Sequence, residues 1–322
     1  MSISDNNISD TIADELSSIC DVSVNIKDDF DLPIYVDKVA QKIDITNKNI
    51  MVLSGGGIKG IAYVGVIKAI EELNVLQNFK IIAGTSVGAL FAALISLGYS
   101  GDELEEFMLK FNLNKLKMVN ISNLFENYGL DDGNRLVYML NRLICAKGYS
   151  KDITLGELYE NTGITLYITT VCVNTRDVIY INHNDYPQIT LTDAVRRSVS
   201  IPGYYVPVMY DDNIYIDGGC IDNFPIQLFK DKLDKVLGLN ISETFDKCDS
   251  INNLESYFRL IYQCFMKGVT INSKKGYEKY TTDINLESIN ILNYGIDVDT
   301  KKELINAGYK AIMDKFMCVD SS

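Results

Sequence analysis

The residues Ile81-Ile82-Ala83-Gly84-Thr85-Ser86-Val87-Gly88 decide how this chain is read. Three apolar residues without a break make a short buried strand. The apolar run behind them, from Val87 to Leu97, ends at Gly98 and predicts a helix apolar nearly all round, buried on most faces and too short to span a membrane. Ser86 therefore falls on a turn between strand and helix, with Gly84 and Gly88 two residues to either side. In that G-x-S-x-G arrangement a nucleophilic serine stands exposed on a sharp bend and the glycines relieve the crowding. The helix start adds backbone N–H groups and a positive dipole end, both of which favour developing negative charge.

Towards the N-terminus the same pattern occurs once more. Ile50-Met51-Val52-Leu53 is an apolar run that ends in Ser54-Gly55-Gly56-Gly57-Ile58-Lys59-Gly60, and a helical pattern runs from Ile61 to about Leu73. Strand, helix, strand, helix in succession predicts a parallel sheet covered by helices. Consecutive glycines expose backbone N–H groups that converge on an anion. The string also fits the dinucleotide fingerprint G-x-G-x-x-G. That reading expects an acidic residue at the end of the second strand, where Ala83-Gly84-Thr85-Ser86 supplies none. No G-K-[ST] follows the glycines, so a P-loop is excluded.

Asp217-Gly218-Gly219 leaves a third apolar strand, Ile214 to Ile216. An aspartate followed by two glycines can approach another backbone closely, and it also reads as an ordinary turn. The chain has a single histidine, His183, in the polar stretch Ile181-Asn182-His183-Asn184-Asp185. It reads as a surface-loop residue. A Ser-Asp-His order would need a histidine after Asp217, and there is none. A serine hydrolase made from this chain must use a carboxylate as its base.

Elsewhere, residues 101–160 read as mostly helical. Strands are expected at Leu166 to Val173, Val178 to Ile181 and Val236 to Leu239. The last 80 residues read as helical and polar, with one strand near Ser288 to Leu292. Residues 1–46 are polar and read as a loosely held extension, and no internal repeat or linker demands a second domain.

Composition narrows the function classes. The formal net charge is −13, which excludes a nucleic-acid partner and disfavours anionic membranes unless a local basic or apolar patch docks them. The 7 cysteines include no CxxC pair, so no zinc site is expected and the thiols read as free in a reducing compartment. The polar, acidic start is no secretory signal, and no run reaches the ~18 apolar residues of a membrane span. The expected location is cytoplasmic, peripheral to membranes when active. The 47% hydrophobic share is ample for a buried core.

These stretches, in this order, resemble the patatin-like phospholipases. Gly55 to Gly60 resembles the family's oxyanion loop, Gly84 to Gly88 its nucleophile elbow, and Asp217-Gly218-Gly219 its D-G-[GA], with Asp222-Asn223-Phe224-Pro225 like the continuation. Asp193 to Gly203, with Arg196, Ser198 and Pro202, resembles its A-x-R-A-S-x-[SA]-x-P segment, and Lys302 to Tyr309 its last helix. Lys59 stands where many members carry arginine, and Arg197 where they carry a small residue. The resemblance covers about residues 49–315, leaving residues 1–48 as an N-terminal extension and 316–322 as a tail. It implies a three-layer α/β/α sandwich with a mostly parallel central sheet. It implies a Ser86–Asp217 dyad, an oxyanion hole from the N–H groups of Gly56, Gly57 and Ile58, and loop or phosphate support from Lys59, Gly55 and Gly60. Gly84, Gly88, Gly218 and Gly219 would let the two turns meet. No cofactor or metal is implied. The substrate would be a phospholipid or glycerolipid at a membrane surface, with an activating protein left open. A non-catalytic lipid-binding or storage descendant is the alternative. Phe107 to Tyr128, or Tyr204 to Val206, read either as an apolar rim against the lipid or as core packing.

Overall fold

The computed structural model describes residues 42–243, 251–286 and 294–317. Eight strands form one sheet: β1 (Ile50–Leu53), β2 (Ile81–Thr85), β3 (Thr165–Cys172), β4 (Asp177–Ile181), β5 (Val208–Tyr210), β6 (Asn213–Asp217), β7 (Val236–Glu243) and β8 (Thr281–Leu286). Their spatial order is β8-β7-β1-β2-β3-β6-β5, with β4 also paired to β3. The five strands from β8 to β3 are parallel. β4 and β6 run antiparallel to β3, and β5 antiparallel to β6. The architecture is the mostly parallel, helix-flanked α/β sheet that the alternation of strands and helices predicts.

All four side chains of β1 are buried, because both faces of a parallel sheet are covered. Met51 and Leu53 point into the larger core with Ile82, Leu166, Ile168 and Leu239; Ile50 and Val52 point into a smaller one. Helices α1 (Ala62–Glu72), α2 (Val87–Ser96) and α5 (Val298–Met313) close the larger core. Phe224, Ile226 and Phe229, on and beside the 3-10 segment Pro225–Lys235, close the smaller one. α1 and α5 cross at small residues: a Cβ on Gly65 would lie 1.7 Å from the Ile305 carbonyl oxygen, and one on Gly308 1.9 Å from that of Ala62. Larger residues there would force the two backbones apart.

Three features differ from expectation. The strand β8 was not read from the sequence, because Thr281-Thr282-Asp283 and Asn285 break its apolar pattern and, as an edge strand, it pairs on one side only. The strand expected near residues 288–292 lies outside the described residues. Ile43–Asp44, assigned to the extension, pairs in parallel with Phe316–Met317, assigned to the tail, and Ile45 beside it is fully buried. A further short parallel pair joins Gly129–Asp131 to Gly203–Tyr205.

Candidate active site

β2 ends on Thr85 and α2 begins on Val87, so Ser86 alone makes the turn. Its backbone has φ 54° and ψ −123°, a strained conformation for a residue with a side chain. The turn closes only because its neighbours lack side chains. A Cβ on Gly84 would sit 2.4 Å from the Gly88 carbonyl, and one on Gly88 2.4 Å from the Leu53 carbonyl oxygen. The N–H of Ser86 donates to Ser198 Oγ at 2.9 Å.

Asp217 is the last residue of β6 and is 3% exposed. Its N–H donates to the Ser200 carbonyl at 2.9 Å, and its Oδ1 accepts from the Gly219 N–H at 2.7 Å. Burial pushes the carboxyl up to about 7, and the neighbouring Ser86 side chain and the Gly219 N–H offset part of that rise. One segment thus holds both turns: Ser198 and Ser200, at the end of helix α3 (Leu191–Ser198), reach Ser86 and Asp217 respectively. Gly218 also needs its missing side chain, since a Cβ there would lie 2.4 Å from the Thr169 carbonyl oxygen.

Asp222 and Asn223 fasten the remaining parts. The Asp222 carbonyl accepts from Thr85 Oγ1 at 3.0 Å, and its Oδ2 accepts from Tyr180 at 2.7 Å. The Asn223 carbonyl accepts the Gly55 N–H at 2.9 Å, which leaves Gly55 as a loop support and not a donor to a ligand. Gly57 has φ 56°, a value glycine adopts without strain. With Gly56 it borders the same cavity as Ser86.

Two cavities meet at Ser86, Gly57 and Ile201. One is apolar and runs beneath α2 between Ile58, Leu90, Phe91, Leu136, Met139 and Tyr205. The other holds the polar and charged side chains of Asp217, Lys59, Asn240, Lys267 and Lys274 beside apolar ones such as Ile241 and Met266. Its roof is helix α4 (Leu254–Lys274), which sets Tyr262, Met266, Thr270 and Lys274 at four-residue steps along one stripe. Burial and then the charge of Asp217 raise the Tyr262 hydroxyl far above its ordinary value.

The structure brings together Ser86, Asp217 and the glycine loop 55–60. Lys59 is buried in the cavity wall. Sequence reasoning read the α4 region as helical and quoted Asn223 in a motif, but gave neither of them, nor Asn240, a place in the site. The four-residue spacing from Tyr262 to Lys274 was a legible signal for a helix face, but nothing local said what that face covers. Of the two readings open for Tyr205, rim or core packing, the structure has the second: it is buried, lines the apolar cavity and bonds the Tyr294 hydroxyl at 3.0 Å, because it pairs inward through the strand Gly203–Tyr205. Phe111 stacks on Phe107, half-buried. The exposed apolar side chains of that stretch are instead Met118, Val119, Ile121, Phe125 and Tyr128. His183 is half-buried and stacks on Tyr159 with ring centroids 3.8 Å apart, which holds its pKa below the ordinary value through lost hydration. Among the described residues no three His, Cys, Asp or Glu side chains group so as to hold a metal ion. No helix among them is long and apolar enough to cross a membrane.

A strained serine thus stands between a parallel strand and a helix, with a buried carboxylate and a glycine loop beside it. The patatin-like phospholipase family model matches residues 51–230, and the chain belongs to that family. An uncharacterized protein of Acanthamoeba polyphaga mimivirus is 29% identical over 297 residues, covering 86% of this chain and 96% of that protein. A protein of Invertebrate iridescent virus 6, described as a probable lipid hydrolase, is 27% identical over 184 residues, or 55% of this chain and 62% of that one. Among solved structures, VipD from Legionella pneumophila shares the fold with a TM-score of 0.54 at 17% identity, over 83% of this chain and 66% of that one.

Proposed function

We propose that this chain hydrolyses the acyl esters of phospholipids or other glycerolipids through Ser86 and Asp217, without a histidine. The observation that carries the reading is the strained Ser86 sharing one cavity wall with the buried carboxylate of Asp217, at the point where the two cavities meet. A carboxylate with an ordinary pKa of about 4 is a weak base. One raised to about 7 by burial is matched to neutral pH. Asp217 takes the Ser86 proton as the oxygen attacks the ester carbonyl. The tetrahedral oxyanion is held by the N–H groups of Gly56, Gly57 and Ile58, each worth roughly 3–4 kcal/mol in the transition state. Collapse expels the lysolipid alcohol, which takes up the proton held on Asp217. Water, deprotonated by the same carboxylate, then attacks the acyl-enzyme carbonyl, and the bond to Ser86 Oγ breaks as that oxygen takes the proton back from Asp217, releasing the fatty acid.

The acyl chain fits the apolar cavity beneath α2, and the alcohol half fits the one that holds Asp217. The exposed side chains from Met118 to Tyr128 would meet the lipid surface. The test is fatty-acid release from mixed phospholipid vesicles, followed by mass spectrometry, with wild type and Ser86→Ala in parallel. Release by wild type alone supports the reading. Equal release by both rejects Ser86 as nucleophile. No release from either, and no fluorophosphonate labelling of wild type, favours a non-catalytic lipid binder.

A further inference from the structure

Lys301 is a buried cation that the chemistry at Ser86 does not use. It lies near the start of α5 and is 4% exposed. Its partners among the described residues are backbone carbonyls, not carboxylates. Nζ donates to the carbonyl of Met108 and to that of Phe111, each at 2.9 Å. Met108 is in the last turn of the helix Gly101–Lys110, and Phe111 follows that helix directly. The last carbonyls of a helix have no partner within it. The dipole of α5 disfavours a cation near its start, whereas the dipole of the helix Gly101–Lys110 favours one at its end. Lys301 is therefore placed to serve the other helix and not its own.

What this tie holds is one wall of the apolar cavity. Met108 lines that cavity, and so do Leu113 and Leu116 of the 3-10 turn Leu113–Leu116. These three are buried, while Asn112, Asn114 and Lys115 between them face solvent. The far end of the segment is fastened by Arg135, whose Nη1 donates to the Lys117 carbonyl at 2.7 Å. Arg135 is exposed, so water can take its place; Lys301 is not. Without the Lys301 ammonium the buried Met108 carbonyl loses this donor, which is costly away from water. Relief lies outward, towards the solvent that Asn114 and Lys115 already meet. That movement draws Leu113 and Leu116 out of the cavity.

Resting on the reading that the apolar cavity takes the acyl chain, we propose that Lys301 is a positioning residue that fixes the depth of that cavity. It thereby sets the length of acyl chain that is cleaved fastest. The wall held in place favours shorter chains, and a wall that recedes admits longer ones. A methylene that gains or loses its apolar site is worth about tenfold or more in kcat/KM. A small recession is therefore read as a large change of preference.

The test measures kcat/KM over p-nitrophenyl esters from butyrate to decanoate and reads the ratio of decanoate to butyrate. In Lys301→Met the ratio should rise about fivefold or more. Lys301→Gln keeps a donor on a shorter arm and should raise it less; it carries the test where Lys301→Met does not fold. Lys301→Arg keeps a charged donor and should hold the wild-type ratio. Leu116→Ala opens the same wall without touching the tie and should raise the ratio too. A lysine that only stabilised the fold would change the melting temperature and the rates on all esters alike. A ratio unchanged in Lys301→Gln, or in a folded Lys301→Met, overturns the inference. So does a ratio raised as much in Lys301→Arg, or one unchanged in Leu116→Ala. Loss of p-nitrophenyl butyrate hydrolysis in Ser86→Ala checks the underlying reading separately. Where that loss is seen and the ratio does not move, the inference on Lys301 alone fails. Where wild type is inactive, or Ser86→Ala keeps the activity, both fall.

Discussion

At Ser86 the backbone is forced into place, with φ at 54° and glycine neighbours that touch carbonyl groups across the turn. At Asp217 the backbone is relaxed, with φ at −52°, and what is unusual is the loss of water around the carboxylate. One group is positioned by strain and the other is tuned by burial. Both are costly to stability, but in different ways. Strain in the serine turn is independent of pH, whereas the cost of a buried carboxylate grows with pH.

Substituting the two groups themselves should separate these costs most clearly. Asp217→Asn is expected to lower turnover by a factor on the order of 10³–10⁴. Retention of more than a tenth of the wild-type rate would remove Asp217 from the mechanism. The same variant should be more stable than wild type at pH 8. The folded-state pKa of about 7 lies above the ordinary 3.8, so stability is full below the lower value and is lost as pH rises through the upper one. The gain should shrink as pH falls from 7 towards 4, and urea melts at pH 8 and pH 5 measure it. Ser86→Gly should also be inactive, yet more stable by about 1 kcal/mol at both pH values, because glycine accepts the bent backbone without strain. A pH-dependent gain there would contradict the division of labour.

Damage to the support of the serine turn comes next in size. Gly88→Ala pushes a Cβ against the Leu53 carbonyl oxygen and should destabilise the fold by about 1–3 kcal/mol, with a matching loss of activity. A neutral result by thermal denaturation would mean that the turn has more room than its geometry indicates. For the aspartate, kcat/KM should rise with pH through an apparent pKa of about 7, reporting the free enzyme. A flat profile between pH 5 and 9 would break the link between burial and base strength. The smallest effect belongs to the roof. Tyr262→Ala admits water beside Asp217 and should move that midpoint down by up to about one unit, while Tyr262→Phe should move it less.

The same contrast explains how much of the site was legible in the sequence. Strain leaves a local signature: Gly84, Gly88 and the run Gly55-Gly56-Gly57 are short-range patterns that mark the serine turn and the loop facing it. The strands β1, β2 and β6 are continuous apolar runs and could be read directly. Burial leaves no such mark. That Ser200 meets Asp217, or that Tyr262 roofs it, depends on contacts between residues far apart in the chain. Strand β8 was missed because its polar residues mask an alternation that only its neighbour β7 makes decisive. Tyr205 could be read as rim or as core, because an aromatic beside glycine and proline fits both, and only the distant Tyr294 hydroxyl decides for the interior.

The order of strands in the sheet also has a consequence for synthesis. β1 lies between β2 and β7, so a central strand made early waits for a neighbour made late. A growing chain carries the serine turn well before the aspartate, and it carries the aspartate before the helix that dries it. On the proposed mechanism, a polypeptide halted on the ribosome before residue 217 holds a nucleophile with no base. Acyl transfer would then wait for residues 217 and beyond, well after the serine turn has been made.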